Sequence, residues 1–189
     1  VMVKNCQSIV DVVEHPFGNN YYTTATCGGA PYNSTTRHCW ASACLGDVPQ
    51  DPDCFSGEIV PQHGDSEAQV NRVEACAKSL ATTWKTYWDF LVCMEASYEL
   101  RGINATTDCA TNSSLDAGAV LSCYDGDAGD AAVAAEAQAT FDHDSVPWLL
   151  VNGEVVDPDN VTDAVVAAYN GTDLPLGCGT QRAAHVAPL

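Results

Sequence analysis

Apolar positions recur at helical spacing over two consecutive stretches. Across residues 65–81, Ala68, Val73, Cys76, Ala77 and Leu80 fall on one stripe, and the acids at its start suit the positive end of a helix dipole. Across residues 83–96, Trp84, Tyr87, Trp88, Leu91 and then Met94 or Glu95 repeat at the same spacing. That aromatic stripe reads as core packing rather than as a cofactor box. Towards the C-terminus the pattern changes. Two apolar runs, 146–151 and 154–156, flank Asn152-Gly153, a dipeptide that tolerates positive φ at both central positions of a tight turn, so this segment is a β-hairpin. Asp159 or Asn160 then opens a final helix through Tyr169, closed by Gly171.

Elsewhere the pattern is weaker. Residues 8–14 form a β-branched run apolar on both faces, as a central strand buried on both sides requires, and His15-Pro16-Phe17-Gly18 ends it. From Asn19 to Pro61 no period is sustained; prolines, glycines, Tyr21, Tyr22, Tyr32 and the cysteines Cys27, Cys39, Cys44 and Cys54 mark a loop-rich insertion. An irregular stretch of this length needs cross-links to stay ordered. Residues 102–113 read as a loop, Ser114 as the cap of a short helix through Cys123, and about 130–141 as a second, alanine-rich one. The expected organisation is one α/β domain over 1–189, with a cysteine-rich insertion at 19–61, a helical subdomain at 65–141, and a hairpin and final helix at 146–170.

Composition narrows the functional classes. The 25 acidic residues against seven basic ones give a formal charge of −18, which repels nucleic acid and anionic membrane surfaces. No apolar run is long enough to cross a bilayer, so direct membrane insertion is not expected. Ten cysteines are dense for a reducing compartment: Cys6, Cys27, Cys39, Cys44, Cys54, Cys76, Cys93, Cys109, Cys123 and Cys178 predict a disulfide framework whose connectivity spacing does not reveal. With no C-x-x-C pair, no H-x-x-x-H and scattered histidines, neither a metal nor another cofactor is expected. Asn33, Asn104, Asn112, Asn160 and Asn170 head Asn-x-Ser/Thr sequons and are the expected glycosylation sites. Cysteines and sequons together place the chain in a secretory lumen, a lysosome or outside the cell; another organelle lumen, such as the thylakoid, would leave the sequons unused.

Several separated motifs carry a family resemblance. Gln62-His63-Gly64, Glu67, Asn71, Val73-Glu74-Ala75-Cys76, Val92-Cys93-Met94-Glu95, His143, Val146-Pro147-Trp148, Val151-Asn152-Gly153 and Tyr169 occur in that order. In this the chain resembles the gamma-interferon-inducible lysosomal thiol reductase family, weakly over residues 10–19 and well over 58–178. The resemblance implies a thioredoxin-like fold with a helical insertion, and a cis peptide bond before Pro147 at the strand entering the hairpin. Val146 and Pro147 would then be the substrate-facing residues of a redox site.

The chain departs from the family at the chemistry. Pro61 and Ala68 stand where the family has a pair of cysteines, so that pair is lost together, which leaves no orphan thiol. The family's C-x-x-C precedes the strand equivalent to residues 9–14, and only eight residues precede that strand here. Disulfide reduction needs an attacking thiolate and a resolving thiol, so no catalytic residue is assigned. Cys39 and Cys44 come nearest to a pair and read as structural; Cys27-Gly28-Gly29-Ala30 resembles the family's redox turn only superficially. No G-x-S-x-G and no phosphate-binding glycine loop is present, and His63 reads as a hydrogen-bonded loop anchor rather than a base.

Three functions stay open. The first is a lumenal thioredoxin-fold protein without catalytic thiols, acting as a binding or assembly subunit for protein partners. The second is a thiol reductase whose C-x-x-C half lies upstream of Val1 or outside this chain. The third is a disulfide-rich recognition module unrelated to redox work.

Overall fold

The computed structural model describes residues 5–46 and 50–179. Residues 47–49 of the expected insertion lie outside them. The chain divides into two compact units, Val13–Asp144 and Val1–Val12 with Ser145–Leu189.

The first unit is mostly helical. It opens with β1 (Tyr21–Tyr22), followed by α1 (Ser34–Cys44) and β2 (Ile59–Val60), which pairs antiparallel with β1 in the register Tyr21↔Val60. Helix α1 falls within the stretch read as aperiodic. Its start is nevertheless written in the sequence: Asn33 accepts from the backbone N–H groups of Thr35 and Thr36 at 2.8 and 3.2 Å, the side-chain cap that Asn-Ser-Thr-Thr supplies. Trp40 on α1 is fully buried and donates its indole N–H to the Cys54 carbonyl at 2.9 Å. Around it pack Phe17, Tyr21, Tyr22, Val60 and, from later helices, Ala75, Val133 and Ala137.

The second core of this unit lies between α2 (Asp65–Leu80), α3 (Trp84–Arg101), α4 (Thr106–Asn112) and α5 (Ala117–Asp125). Helix α6 (Asp127–Ala139) contributes Val133 and Ala137 to the aromatic cluster instead. Helix α2 serves both clusters: Val70, Val73, Cys76 and Ala77 face one and Ala75 the other, so more of its circumference is buried than the single stripe predicted. Leu80, expected in the core, is 42% exposed. On α3 the expected Tyr87, Leu91 and Met94 are buried and Phe90 joins them, fully buried, while Trp84 and Trp88 are only partly buried.

Two local expectations fail here. Residues 102–113 are not a loop: a 3-10 turn (Gly102–Ala105) leads into α4, because Ala105, Cys109 and Ala110 form a short helical stripe that buries against α3. Ser114 does not cap α5; it adopts a φ of 64°, and Asp116 caps the helix by accepting from the Ala119 N–H at 3.1 Å. Residues 8–14 are not a strand either. Among the described residues no strand lies beside them to take their backbone hydrogen bonds, and Val13 is 69% exposed.

The second unit contains the hairpin β3 (Leu149–Val151) and β4 (Glu154–Val156), paired Leu149↔Val156 through Val151↔Glu154. Asn152 and Gly153 form the turn at φ 51° and 88°, both in the left-handed region that a type I′ turn demands. A 3-10 turn (Pro158–Asn160), capped by the Asp157 carboxylate, leads into α7 (Val161–Ala168). That helix ends at Tyr169 in an extended conformation, before Gly171 is reached.

Candidate functional site

The residues that the motifs single out do not gather at one catalytic centre; they distribute over a proline loop, a sulfur framework and two polar clusters. The proline loop precedes β3. The Val146–Pro147 peptide bond is cis, as is Ala30–Pro31 in the insertion, and Val146 is 47% exposed.

The sulfur framework accounts for all ten cysteines. Cys6 bonds Cys178, Cys27 bonds Cys39, Cys44 bonds Cys54, Cys76 bonds Cys123, and Cys93 bonds Cys109. None is free. Cys39 and Cys44, five positions apart on α1, project to different partners rather than to each other. Cys76–Cys123 ties α2 to α5, and Cys93–Cys109 ties α3 to α4. In the hairpin unit the sulfur couple, Cys6–Cys178, is sealed, with both residues no more than 2% exposed. A bridged sulfur is neither nucleophile nor metal ligand until it is reduced. Among the described residues no group of three His, Cys, Asp or Glu side chains is placed to hold a metal ion.

One polar cluster centres on Arg37, a residue the sequence reading passed over. From α1 its buried guanidinium donates to the Asp142 carboxylate at 2.8 Å and to the His143 carbonyl at 2.6 Å, with the His143 ring 3.1 Å away. His143, one of the motif residues, lies 2.7 Å through Nδ1 from the Phe141 carbonyl. Burial holds its pKa below the usual histidine value, the Phe141 carbonyl opposing and the Arg37 charge reinforcing. The ring ties Arg37 to residues 141–143, the segment leading in sequence to Val146 and Pro147.

The other cluster lies between the chain after residue 13 and helices α2, α3 and α6. Tyr87 donates to the Glu14 carboxylate; Lys78 donates to the Glu14 carbonyl at 2.5 Å and to Glu136 Oε2 at 2.6 Å; His15 Nδ1 lies 2.7 Å from the same oxygen. Burial pushes the Glu136 carboxyl up, but His15 and Lys78 outweigh it and its pKa is lowered. Glu14 goes the other way, raised by burial that Tyr87 and Lys78 only partly offset. Glu74, a motif residue on α2, is 2% exposed and keeps Oε1 without a partner among the described residues. Burial first, then the charges of Glu14 and Glu95, hold its carboxyl well above the usual range. The period of α2 gave no hint that this acid is buried, because its neighbours arrive from residues 14 and 95.

His63 anchors its loop: its backbone N–H donates to Glu67 Oε2 at 2.7 Å and its ring is exposed. Of the sequon asparagines, Asn33 caps α1, Asn104 lies in the 3-10 turn before α4, Asn112 ends α4, Asn160 ends the turn before α7, and Asn170 is exposed. The shallow hollow of about 300 Å³ lined by Leu80, Thr82, Thr86, Leu115 and Asp116 brings together none of the motif residues.

A helix-rich α/β protein held by five disulfides, with a cis-proline loop leading into a hairpin, is consistent with the thioredoxin-like class of fold. Sequence comparison gives the particular family. The model of the gamma interferon inducible lysosomal thiol reductase (GILT) family matches residues 45–113. A gamma-interferon-responsive lysosomal thiol protein of Arabidopsis thaliana is 33% identical over 141 residues, covering 69% of this chain and 58% of that protein. The gamma-interferon-inducible lysosomal thiol reductase of Mus musculus is 27% identical over 128 residues, covering 65% of this chain and 51% of its own length. The chain belongs to the GILT family. It spans between half and three-fifths of the curated relatives it matches.

Proposed function

We propose that these residues form a GILT-family scaffold that exchanges no electrons through a C-x-x-C of its own and works by binding protein, as a partner or assembly subunit in an oxidising lumen. The observation that carries this reading is the closed sulfur inventory: ten cysteines, five bridges and no C-x-x-C. Without a thiolate, the first step of disulfide reduction has no nucleophile. The disulfide density, and the lysosomal designation in the relatives' names, support a lumenal or secreted location. The purified protein should reduce insulin no faster than the free dithiol present in the assay; a rate well above that background would sink the idea. Glycans at several of the five sequons accompany this reading, and an intact mass equal to the bare polypeptide would count against it.

A second reading rests on a different observation. The Val146–Pro147 loop and its hairpin are retained, and Val146 is exposed. In a working reductase these two residues would offer backbone groups to an extended substrate chain, with the exchanging thiols supplied from outside these residues. Sequencing the transcript upstream of Val1 discriminates: an encoded C-x-x-C within some tens of residues favours the enzyme.

A further inference from the structure

The five bridges are not equally protected. Four have at least one cysteine sealed in the interior: Cys6, Cys44 and Cys76 are 0% exposed and Cys109 is 1%. In Cys27–Cys39 both residues are partly exposed. Attack on a disulfide requires a thiolate to reach a sulfur; Cys93 is also partly exposed, but only Cys27–Cys39 offers both of its cysteines to an attacking thiolate.

Its surroundings are secured without it. Cys27 lies in a turn closed by reciprocal backbone hydrogen bonds between Thr24 and Gly28, at 3.0 and 2.9 Å. Ala25 N–H and Thr26 Oγ1 donate to the carboxylates of Asp53 and Asp51, each at 2.7 Å. The following loop is held by the buried Tyr21, whose hydroxyl lies 3.1 Å from the Gly29 carbonyl and 3.3 Å from that of Pro31. Asn33 caps the helix that carries Cys39. Opening the sulfur–sulfur bond breaks none of these contacts.

We propose that Cys27–Cys39 is a thiol-exchange site at which this chain accepts electrons from a protein dithiol. A thiolate of the partner attacks one of the two sulfurs; the Cys27–Cys39 bond breaks, and the displaced cysteine leaves as a thiolate and takes up a proton. The partner's second thiol then displaces this chain from the mixed disulfide. The partner ends as a disulfide, oxidised by two electrons, and Cys27 and Cys39 end as thiols. The site makes the chain an electron acceptor rather than a reductase, which goes beyond the function proposed above and needs no C-x-x-C.

The test titrates native protein with dithiothreitol, traps thiols by alkylation and maps them by mass spectrometry. Cys27 and Cys39 are expected to be labelled together, at least about tenfold faster than any other pair. Labelling of another pair first, or of all ten cysteines together, overturns the proposal. In a second arm, a thioredoxin-type protein lacking its resolving cysteine should be captured as an adduct on Cys27 or Cys39. The Cys27→Ala/Cys39→Ala variant should keep its circular dichroism spectrum and lose the adduct. An adduct on other cysteines overturns the proposal, as does a double variant that fails to fold, since the bridge would then be a structural staple. Because the readout is the identity of the labelled cysteines, its failure is distinct from insulin reduction by the protein.

Discussion

The helical unit and the hairpin unit are built to different standards of burial. Val13–Asp144 encloses two apolar clusters, one around Trp40 and one around Phe90, and holds four of the five bridges. In the hairpin unit the described residues bury only the two cysteines of a single bridge, Cys6 and Cys178. Leu150 and Val155, paired across the hairpin, are 37% and 56% exposed, and α7 is apolar yet buries no residue. The difference locates stability in the helices and leaves the proline loop on an element with little core of its own, the usual arrangement for segments that open locally or adapt to a partner.

The sharpest challenge to that contrast is a pair of truncations. Phe90→Ala should cost about 3–5 kcal/mol by leaving a cavity in the helical core. Opening one staple of the same unit, in a Cys76→Ser/Cys123→Ser variant, should cost about 4 kcal/mol in the chain-entropy account, read as a lower denaturant midpoint. If either change left the midpoint unmoved, the helical unit would not be where the stability resides.

A smaller effect tests the buried acid. Glu74 and Glu14 have pKa values raised in the folded state, so the stability they contribute is complete below about pH 4.5 and is lost as pH rises through their folded values. Glu136 and His143, both lowered, act oppositely: theirs is lost as pH falls, from about 6.5 downward for His143 and below about 4.5 for Glu136. Glu74 is the most deeply buried of the four carboxyl and imidazole groups and leaves an oxygen unpartnered, so melting temperature should decline from mildly acidic towards neutral pH. Glu74→Gln should flatten that decline and raise neutral-pH stability by about 1 kcal/mol or more. Parallel melting profiles for the two proteins would refute the assignment.

The smallest effects belong to the hairpin. Leu150→Ser and Val155→Thr should each change stability by about 0.5 kcal/mol or less, as surface substitutions do. Amide hydrogens of residues 149–156 should exchange well before those of α2 and α3. Protection equal to that of α3 would erase the contrast between the units.

What the sequence disclosed follows the same division between local and non-local causes. The hairpin was legible because Asn-Gly between two apolar runs specifies its own turn, and α2 and α3 were legible because their stripes are long. Residues 8–14 misled, since β-branched content announces a strand only where a neighbour exists to pair with it. Helices α1 and α4 were missed because each is short and rich in threonine and serine, residues whose helical propensity is poor away from caps. At the candidate site, the motif residues could be located and the cis bond before Pro147 followed from the family resemblance they carry, but the disulfide partners could not. Nor could the burial of Arg37 or Glu74, which depends on residues 105 and 106 positions away in one case and on Glu14 in the other.

The Cys6–Cys178 bridge joins residues 172 positions apart, so almost the entire chain is a covalent ring. A protease that cuts an exposed loop between those two cysteines therefore releases no fragment: the cleaved molecule migrates as one species on a gel until reductant is added. In a degradative environment such a ring lets the fold outlive its first scission, with the two ends of the cut still tethered through the bridge.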